Sequence, residues 1–357
     1  MTYNQPTPPH AAPSPLRTAK VRFSGVATSA MALPAPAASV WRGQFGRRLR
    51  EATGDAPGSV YRTVFATPAA AVTLPDLSSR ARATLGLTGP HRPHPFILRV
   101  PDAPDATPLT VAAGDQVAME LVLIESAVGH LPAVCSALEA VWNAPLGAPT
   151  AQPGGRTARG RAVLQQATLK TGALQWDLLD GGRWQFPPLE GPLLYDRAAA
   201  LQPQPASTEP PLTPGALRVI LRAPLRAKHR GAWVRPPDVT PAVLSAQLLR
   251  RLGALNACYG RTPLTDAMVT AWRNTGYDMA DATTLVQQSL DWTDTFRYSA
   301  RQERSVPAGG VTGAFVLKAP TPWLRQWHYL LQQAAMVHLG KGTAFGHGAL
   351  RVEAAAA

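Results

Sequence analysis

A chain of 357 residues is long enough for two separate hydrophobic cores. Its 35 Lys and Arg against 22 Asp and Glu leave a formal charge of +13, the electrostatic footprint of a protein that meets a polyanion. Two cysteines exclude a disulfide framework and a cysteine zinc set, and no apolar run approaches the roughly 18 residues of a membrane-spanning helix. With no CxxC or HExxH motif and no basic-then-apolar leader, the composition points to a cytoplasmic protein without metal or cofactor.

Residues 1–15 hold prolines at 6, 8, 9, 13 and 15 and little else that could pack, so they are expected to be disordered. Residues 20–29 (KVRFSGVATS) alternate as a strand does, with Val21, Phe23 and Val26 as apolar points. Ser39 is placed to cap a helix through Glu51, with Val40, Phe45 and Leu49 apolar and Arg42, Arg47, Arg48 and Arg50 on a dense positive face. Such a face repels itself unless an anion lies against it, the alternative being a solvated basic surface. Residues 60–66 and 95–100 read as short strands joined by a loop with His91 and His94, and 116–124 (QVAMELVLI) as a firmer strand. A helix over 129–142, a glycine and arginine loop (PGGRTARGR, 153–161) and a strand through Lys170 follow.

Residues 198–215 (AAALQPQPASTEPPLTPG) have the composition of an exposed linker. They divide the chain into a tail (1–15), an N-terminal domain (16–197), the linker and a C-terminal domain (216–357). The second half opens with a strand over 216–222. Thr240 and Pro241 then start a helix through about residue 257, by an N-cap and a proline at the first helical position. Strands over 291–299 and 311–318, joined by the basic turn ARQERSVPAGG, precede a helix from Pro322 and a last strand over 349–352. The order is βαββαβ, the ferredoxin-like pattern of an α+β protein.

In the final helix Thr321 is a candidate cap, and Leu324, Trp327, Leu331, Ala334, Ala335 and His338 recur as a buried stripe that should end at Gly340. A loop with glycines at 340, 342, 346 and 348 and one lysine, Lys341, comes next. Phosphate-gripping loops of the Rossmann and P-loop types lie between a strand and the following helix, whereas here the order is helix, glycines, strand. The loop is therefore read either as a close approach of backbone N–H groups to a phosphate chain, neutralised by Lys341, or as a plain helix cap and bend.

Six ordered segments together carry a resemblance: LPAPAASVWRGQFGRRLR (33–50), HPFILRV (94–100), LRVILRAPLRAKHRG (217–231), LLRRLGALNACYG (248–260), RYSARQERSVPAGGVTG (297–313) and HLGKGTAFGHGALRVE (338–353). In these the chain resembles the CRISPR-associated endoribonucleases of the RAMP superfamily, which cut precursor CRISPR RNA within its repeats. The resemblance implies two tandem ferredoxin-like domains, RNA across a basic cleft, and a glycine loop (340–348) that takes part in binding. It also implies metal-independent cleavage by attack of the RNA's own 2′-hydroxyl, leaving a 2′,3′-cyclic phosphate. Its partners would be CRISPR repeat RNA, kept as mature crRNA, and other subunits of a CRISPR effector complex.

Many relatives carry a histidine in a segment like RGAFGHALR, where Arg47 stands in this chain. Arginine stays protonated and makes a poor base, though it can stabilise a phosphorane. Arg42, Arg47 and His338 are accordingly the catalytic candidates. Arg48, Arg226, Lys228, His229, Arg230, Arg297, Arg301, Arg304, Gly340, Lys341, Gly342 and His347 are the expected RNA contacts. His338 falls on the apolar stripe, where a histidine is more often a core residue than a catalyst, while His347, between two glycines, is expected to be more exposed. A non-catalytic crRNA-binding subunit, or a general RNA-binding protein, remains the alternative.

Overall fold

The computed structural model describes residues 13–100, 108–151, 156–171, 174–188, 215–299 and 304–355. In the first strand, β1 (Thr18–Ala27), the period of two turns Ala19, Val21 and Phe23 to one face, where all three are fully buried. That face receives two helices. The first, α1 (Ala38–Thr53), sets down Trp41, Phe45 and Leu49, and the second, α2 (Leu131–Trp142), adds Val134, Leu138 and Val141. Trp41 and Trp142 meet with ring centroids 4.9 Å apart between them. Each such side chain taken from water contributes about 1.5–3 kcal/mol, and this packing fixes where α1 lies.

Strands β2 (Phe96–Arg99), β3 (Gln116–Ile124) and β4 (Ala162–Thr171) complete the N-terminal sheet in the order β2-β3-β1-β4, every neighbour antiparallel, with Leu174–Asp177 added at the edge. The second domain repeats the plan. It runs β5 (Ala216–Leu225), α3 (Pro241–Tyr259), α4 (Asp266–Asp281), β6 (Thr284–Thr293), β7 (Gly310–Lys318), α5 (Thr321–Val337) and β8 (Leu350–Ala355), with sheet order β6-β7-β5-β8. In both halves the first strand lies between the third and fourth of its βαββαβ unit, so the fold is two ferredoxin-like domains in tandem. No helix among the described residues is long and apolar enough to cross a membrane.

Several local expectations are corrected. Residues 60–66 form no strand; Tyr61–Ala66 is a wide helical turn closed by Thr67 N–H to the Arg62 carbonyl. It presents Phe65 to α1 at Gly46, where a Cβ would come within 2.2 Å of the ring. The strand expected over 291–299 is two elements, the end of β6 and a separate hairpin strand, Phe296–Ser299. As an edge strand with a largely exposed face, β6 lacks the apolar alternation that marks its neighbours. Helix α4 was not anticipated, although Thr265 caps it by accepting from the Met268 N–H. Thr240 caps α3 as expected, but neither Ser39 nor Thr321 makes a cap bond, and α5 ends at Val337 with His338 at φ +56°.

The domains are pinned to each other at several points. Ile97, Val122 and Ile124 on the outer face of the N-terminal sheet belong to the second core, against α5. Tyr259 Oη of α3 donates to the Pro93 carbonyl at 2.7 Å, and Ser78 N–H to Asp266 Oδ1 at 3.0 Å. Tyr329 and Asn256 donate to the carbonyls of Pro13 and Ser14, so residues 13–15, expected within the tail, are packed on the C-terminal domain. Residues 1–12 and most of the expected linker lie outside the described residues.

Candidate nucleic-acid interface

The glycine loop leaves α5 where the left-handed His338 turns the backbone, and it reaches across to the N-terminal domain. Ala344 is buried within the N-terminal core, and the short turn Thr343–Phe345 rests on β2 and α1. Leu339 N–H donates to the Gly348 carbonyl at 3.0 Å, Gly348 N–H to the Pro224 carbonyl at 3.0 Å, and Lys341 N–H to the Arg226 carbonyl at 2.7 Å. Much of the backbone expected to face phosphate is thus spent holding the loop in place, while the Lys341 side chain stays exposed.

The arginines of α1 divide into two kinds. Arg47 and Arg48 share Glu51 at 3.8 and 2.9 Å, and Arg50 reaches Asp55 at 2.8 Å, so most of the expected self-repulsion is relieved within the protein. Arg42 is different. Among the described residues, neither it nor Arg226, Lys228, Arg250 or Lys341 pairs with a carboxylate. Burial, then the charge of Arg297, holds the Arg42 guanidinium down to about 10. Lys341 is lowered by burial and then by Lys228, Arg250 and Arg226, and Arg226 by burial and then by Arg297 and Arg235. Cations from both domains therefore crowd one another around the loop, an arrangement that an anion relieves.

Aromatic rings lie among these charges. Arg226 and Lys228 sit 3.9 and 4.8 Å from the Trp233 ring, Arg235 is 3.7 Å from Trp292, and Arg297 is 5.1 Å from Phe345. Arg42 lies 4.7 Å from Phe65. Charge beside an exposed π face suits an unpaired nucleotide strand. His229 and Arg230 occupy the small hairpin Lys228–His229 and Ala232–Trp233, with exposed Arg230 at its turn. Arg304 is exposed on the second hairpin, opposite Ser299, and Arg301 lies outside the described residues.

The two loop histidines are core groups. His338 is 3% exposed with Nδ1 at 3.2 Å from the His347 carbonyl, the buried alternative of its stripe position. His347, expected to be exposed, is 0% exposed; its ring sets an edge against Phe345 at 4.8 Å and has no polar partner among the described residues. Burial first, then Arg99 and Arg251, lowers His338 to about 3; burial first, then Arg226 and Arg297, lowers His347 to about 4. Both are neutral in the fold and take up a proton near pH 6.5 when unfolded, so their contribution to stability is complete above about pH 7 and is lost as pH falls through that value. Urea unfolding at pH 7.5, 6 and 5 is expected to show a falling midpoint, with a slope approaching about 1.4 kcal/mol per pH unit for each histidine. A midpoint unchanged over that range would mean that these rings are not held neutral.

Sequence reasoning missed a polar group at the same junction. His94 Nε2 lies 3.2 Å from Arg42 Nη2, and its Nδ1 lies 3.2 Å from Thr67 Oγ1, which donates to the Arg92 carbonyl at 3.0 Å. The only signal was that His94 opens the segment HPFILRV. Trp233, Phe345 and Arg250 were missed because spacing along the chain does not show which rings and charges a loop brings together.

Residues 219–350 match the family model of the CRISPR-associated endoribonuclease Cas6, and residues 16–185 match a model described as an N-terminal domain (AF_1859_N). The C-terminal part of the chain, residues 219–350, is thus a domain of the CRISPR-associated Cas6 endoribonuclease family. Comparison with the curated proteins gives no match. Among solved structures, a Cas6 product complex is 17% identical with a TM-score of 0.47, covering 94% of this chain and 99% of that one. A second Cas6 product complex is 14% identical with a TM-score of 0.49, covering 94% and 100%. Thermus thermophilus Cas6 is 12% identical with a TM-score of 0.46, covering 95% and 99%.

Proposed function

We propose that this chain is a metal-independent endoribonuclease of the cytoplasm that cleaves precursor CRISPR RNA within its repeats by 2′-hydroxyl attack and retains the mature crRNA. The observation that carries the reading is the set of cations without carboxylate partners, drawn from both domains, around the glycine loop. Arg42 is the guanidinium best placed to stabilise a phosphorane, because no carboxylate competes for it. Arg226, Lys228, Arg250 and Lys341 neutralise neighbouring phosphates, with Trp233 and Phe345 as stacking surfaces. Arg47 and Arg48, held by Glu51, and His338, sealed in the core, are poorly placed for chemistry. Other CRISPR proteins are the expected partners of the retained complex.

The test is incubation with repeat RNA in the presence of a chelator, beside the same RNA with hydrogen in place of the 2′-hydroxyl at the cut. A discrete cut with a cyclic phosphate end, absent from the deoxy substrate, is the expected result; a cut deoxy substrate would refute the mechanism. Five phosphate contacts predict a log–log salt slope of affinity of roughly −3 to −5. One observation favours a second reading, a crRNA-binding subunit without chemistry: an ion-paired Arg47 occupies the place of a helix histidine. Tight binding without any cut would establish that reading.

A further inference from the structure

We propose that His94 is the general base of this chain's phosphodiester cleavage, its Nε2 covered by Arg42 until a phosphate draws that guanidinium away. The inference rests on the nuclease reading above and supplies the base that reading lacks. Arginine at position 47 cannot abstract a proton at neutral pH, and it is committed to Glu51 and to Gln44. His338 and His347 are sealed from solvent. His94 is only partly buried and stands at the domain junction beside the unpaired Arg42.

Its hydrogen bonds determine its chemical state. A guanidinium can only donate, so the contact at 3.2 Å makes Nε2 an acceptor. Thr67 gives its own proton to the Arg92 carbonyl, so its oxygen accepts from His94 Nδ1–H. The ring is therefore neutral, with its basic nitrogen on the Arg42 side. It is held there from several elements: by Phe65 and Phe96, 6.3 and 5.5 Å from its ring, and by Tyr259 of α3, which fixes the preceding carbonyl. The same charges that surround it keep it unprotonated. Burial contributes most, followed by Arg42 of α1, Arg251 of α3 and His91 of its own loop.

A phosphate competes for Arg42 with charge and two acceptor oxygens, which a neutral imidazole cannot match. When Arg42 turns to the phosphate, Nε2 is left free, and both the neutralised guanidinium and the new anion raise the proton affinity of the ring. In the step itself, Nε2 takes the proton of the 2′-hydroxyl, the 2′-oxygen bonds to phosphorus, and the bond from phosphorus to the 5′-oxygen breaks. The departing oxygen takes a proton from water, and the imidazolium returns its proton to solvent. Positive charge and base thus come from one hydrogen-bonded pair, separated by substrate.

The experiment compares the full-length wild type with His94→Ala and His94→Gln in single-turnover cleavage of repeat RNA from pH 5 to 9. Binding is measured with the 2′-deoxy repeat, and thermal melts report folding. Both variants are expected to cut about 100-fold more slowly or worse and to bind within about threefold. Because the free ring is held down to about 3, a wild-type limb between pH 5 and 9 that both variants lack requires bound phosphate to raise its proton affinity, and added imidazole should restore part of the His94→Ala rate. The glutamine variant keeps an acceptor for Arg42 and a donor for Thr67, so it tests the proton transfer apart from the fold. Variants that cut within about threefold of the wild type, retain the low-pH limb, or lose binding as much as cleavage would overturn the inference. Wild-type protein that binds the RNA and leaves it whole would overturn the nuclease reading and this inference with it.

Discussion

Arg42→Ala is expected to slow cleavage by about 10²–10³-fold, whereas Arg47→Ala, one helical turn and a residue further on, should stay within about threefold of the wild type. The contrast follows from what each guanidinium already touches. Arg47 is exposed and shared between Gln44 and Glu51, and an exposed pair of this kind is worth about 0–1 kcal/mol to stability and little to a ligand. Arg42 is partly buried, lies over Phe65 and lacks a carboxylate, so a developing phosphorane charge would not have to compete for it. Removing a positioned charge donor of this sort from a transition state costs about 2.7–4 kcal/mol. Arg42→Lys should recover part of the rate, since it restores the charge without the planar fork. Single-turnover rates at saturating protein, with affinity for the 2′-deoxy repeat alongside, provide the measurement. Equal losses in the two alanine variants would show that ion pairing within α1 does not sort its arginines.

Gly348→Ala is expected to destabilise the protein by roughly 3 kcal/mol and to remove RNA binding at the same time. Gly348 sits at φ +70°, where an alanine costs about 1–2 kcal/mol. Its Cβ would also fall 1.8 Å from the Leu339 carbonyl oxygen, which is backbone and cannot swing aside, adding about 1–3 kcal/mol. The residue donates to Pro224 and accepts from Leu339, so displacing it unseats the loop that carries Lys341 and Phe345. Gly346→Ala is the control. It shares the positive φ, but its nearest neighbours would lie at 3.4 Å, so only the backbone cost should remain. Urea unfolding of the two variants gives the comparison, and similar losses in both would show that the close approach at Gly348 is not what holds the loop.

The elements with clean periodicity were legible in the sequence. Residues 116–124 alternate and are buried in the middle of a sheet, and the stripe of α5 places Leu324, Trp327, Leu331 and Ala334 in the core. The elements that misread are those whose signals compete. Residues 60–66 (VYRTVFA) are rich in the β-branched and aromatic residues that favour strands, yet the chain there winds into a wide turn so that Phe65 fills the notch at Gly46. Edge strand β6 shows most of its polar residues to water and gives little apolar pattern.

The site was only half legible. Basic residues in α1, in the segment 226–230 and near 297 could be picked out, but not which of them a neighbouring Glu51 or Asp55 would neutralise. That distinction depends on rotamers and helix phase. His94 and Arg42 are 52 positions apart, and their contact depends on how the turn before β2 lies against α1. His347 was misjudged because flanking glycines suggest an open loop, and here they let the backbone fold inward.

Ala344, which completes the N-terminal core, is contributed by the loop of the C-terminal domain. During synthesis the first domain emerges with a socket that stays empty until the second domain has been made through residue 344. Neither half is then a free-standing module. Exchanging one for a homologous half would have to bring a matching plug or socket with it, and a chain cut short before the loop would lose a piece of the domain made first.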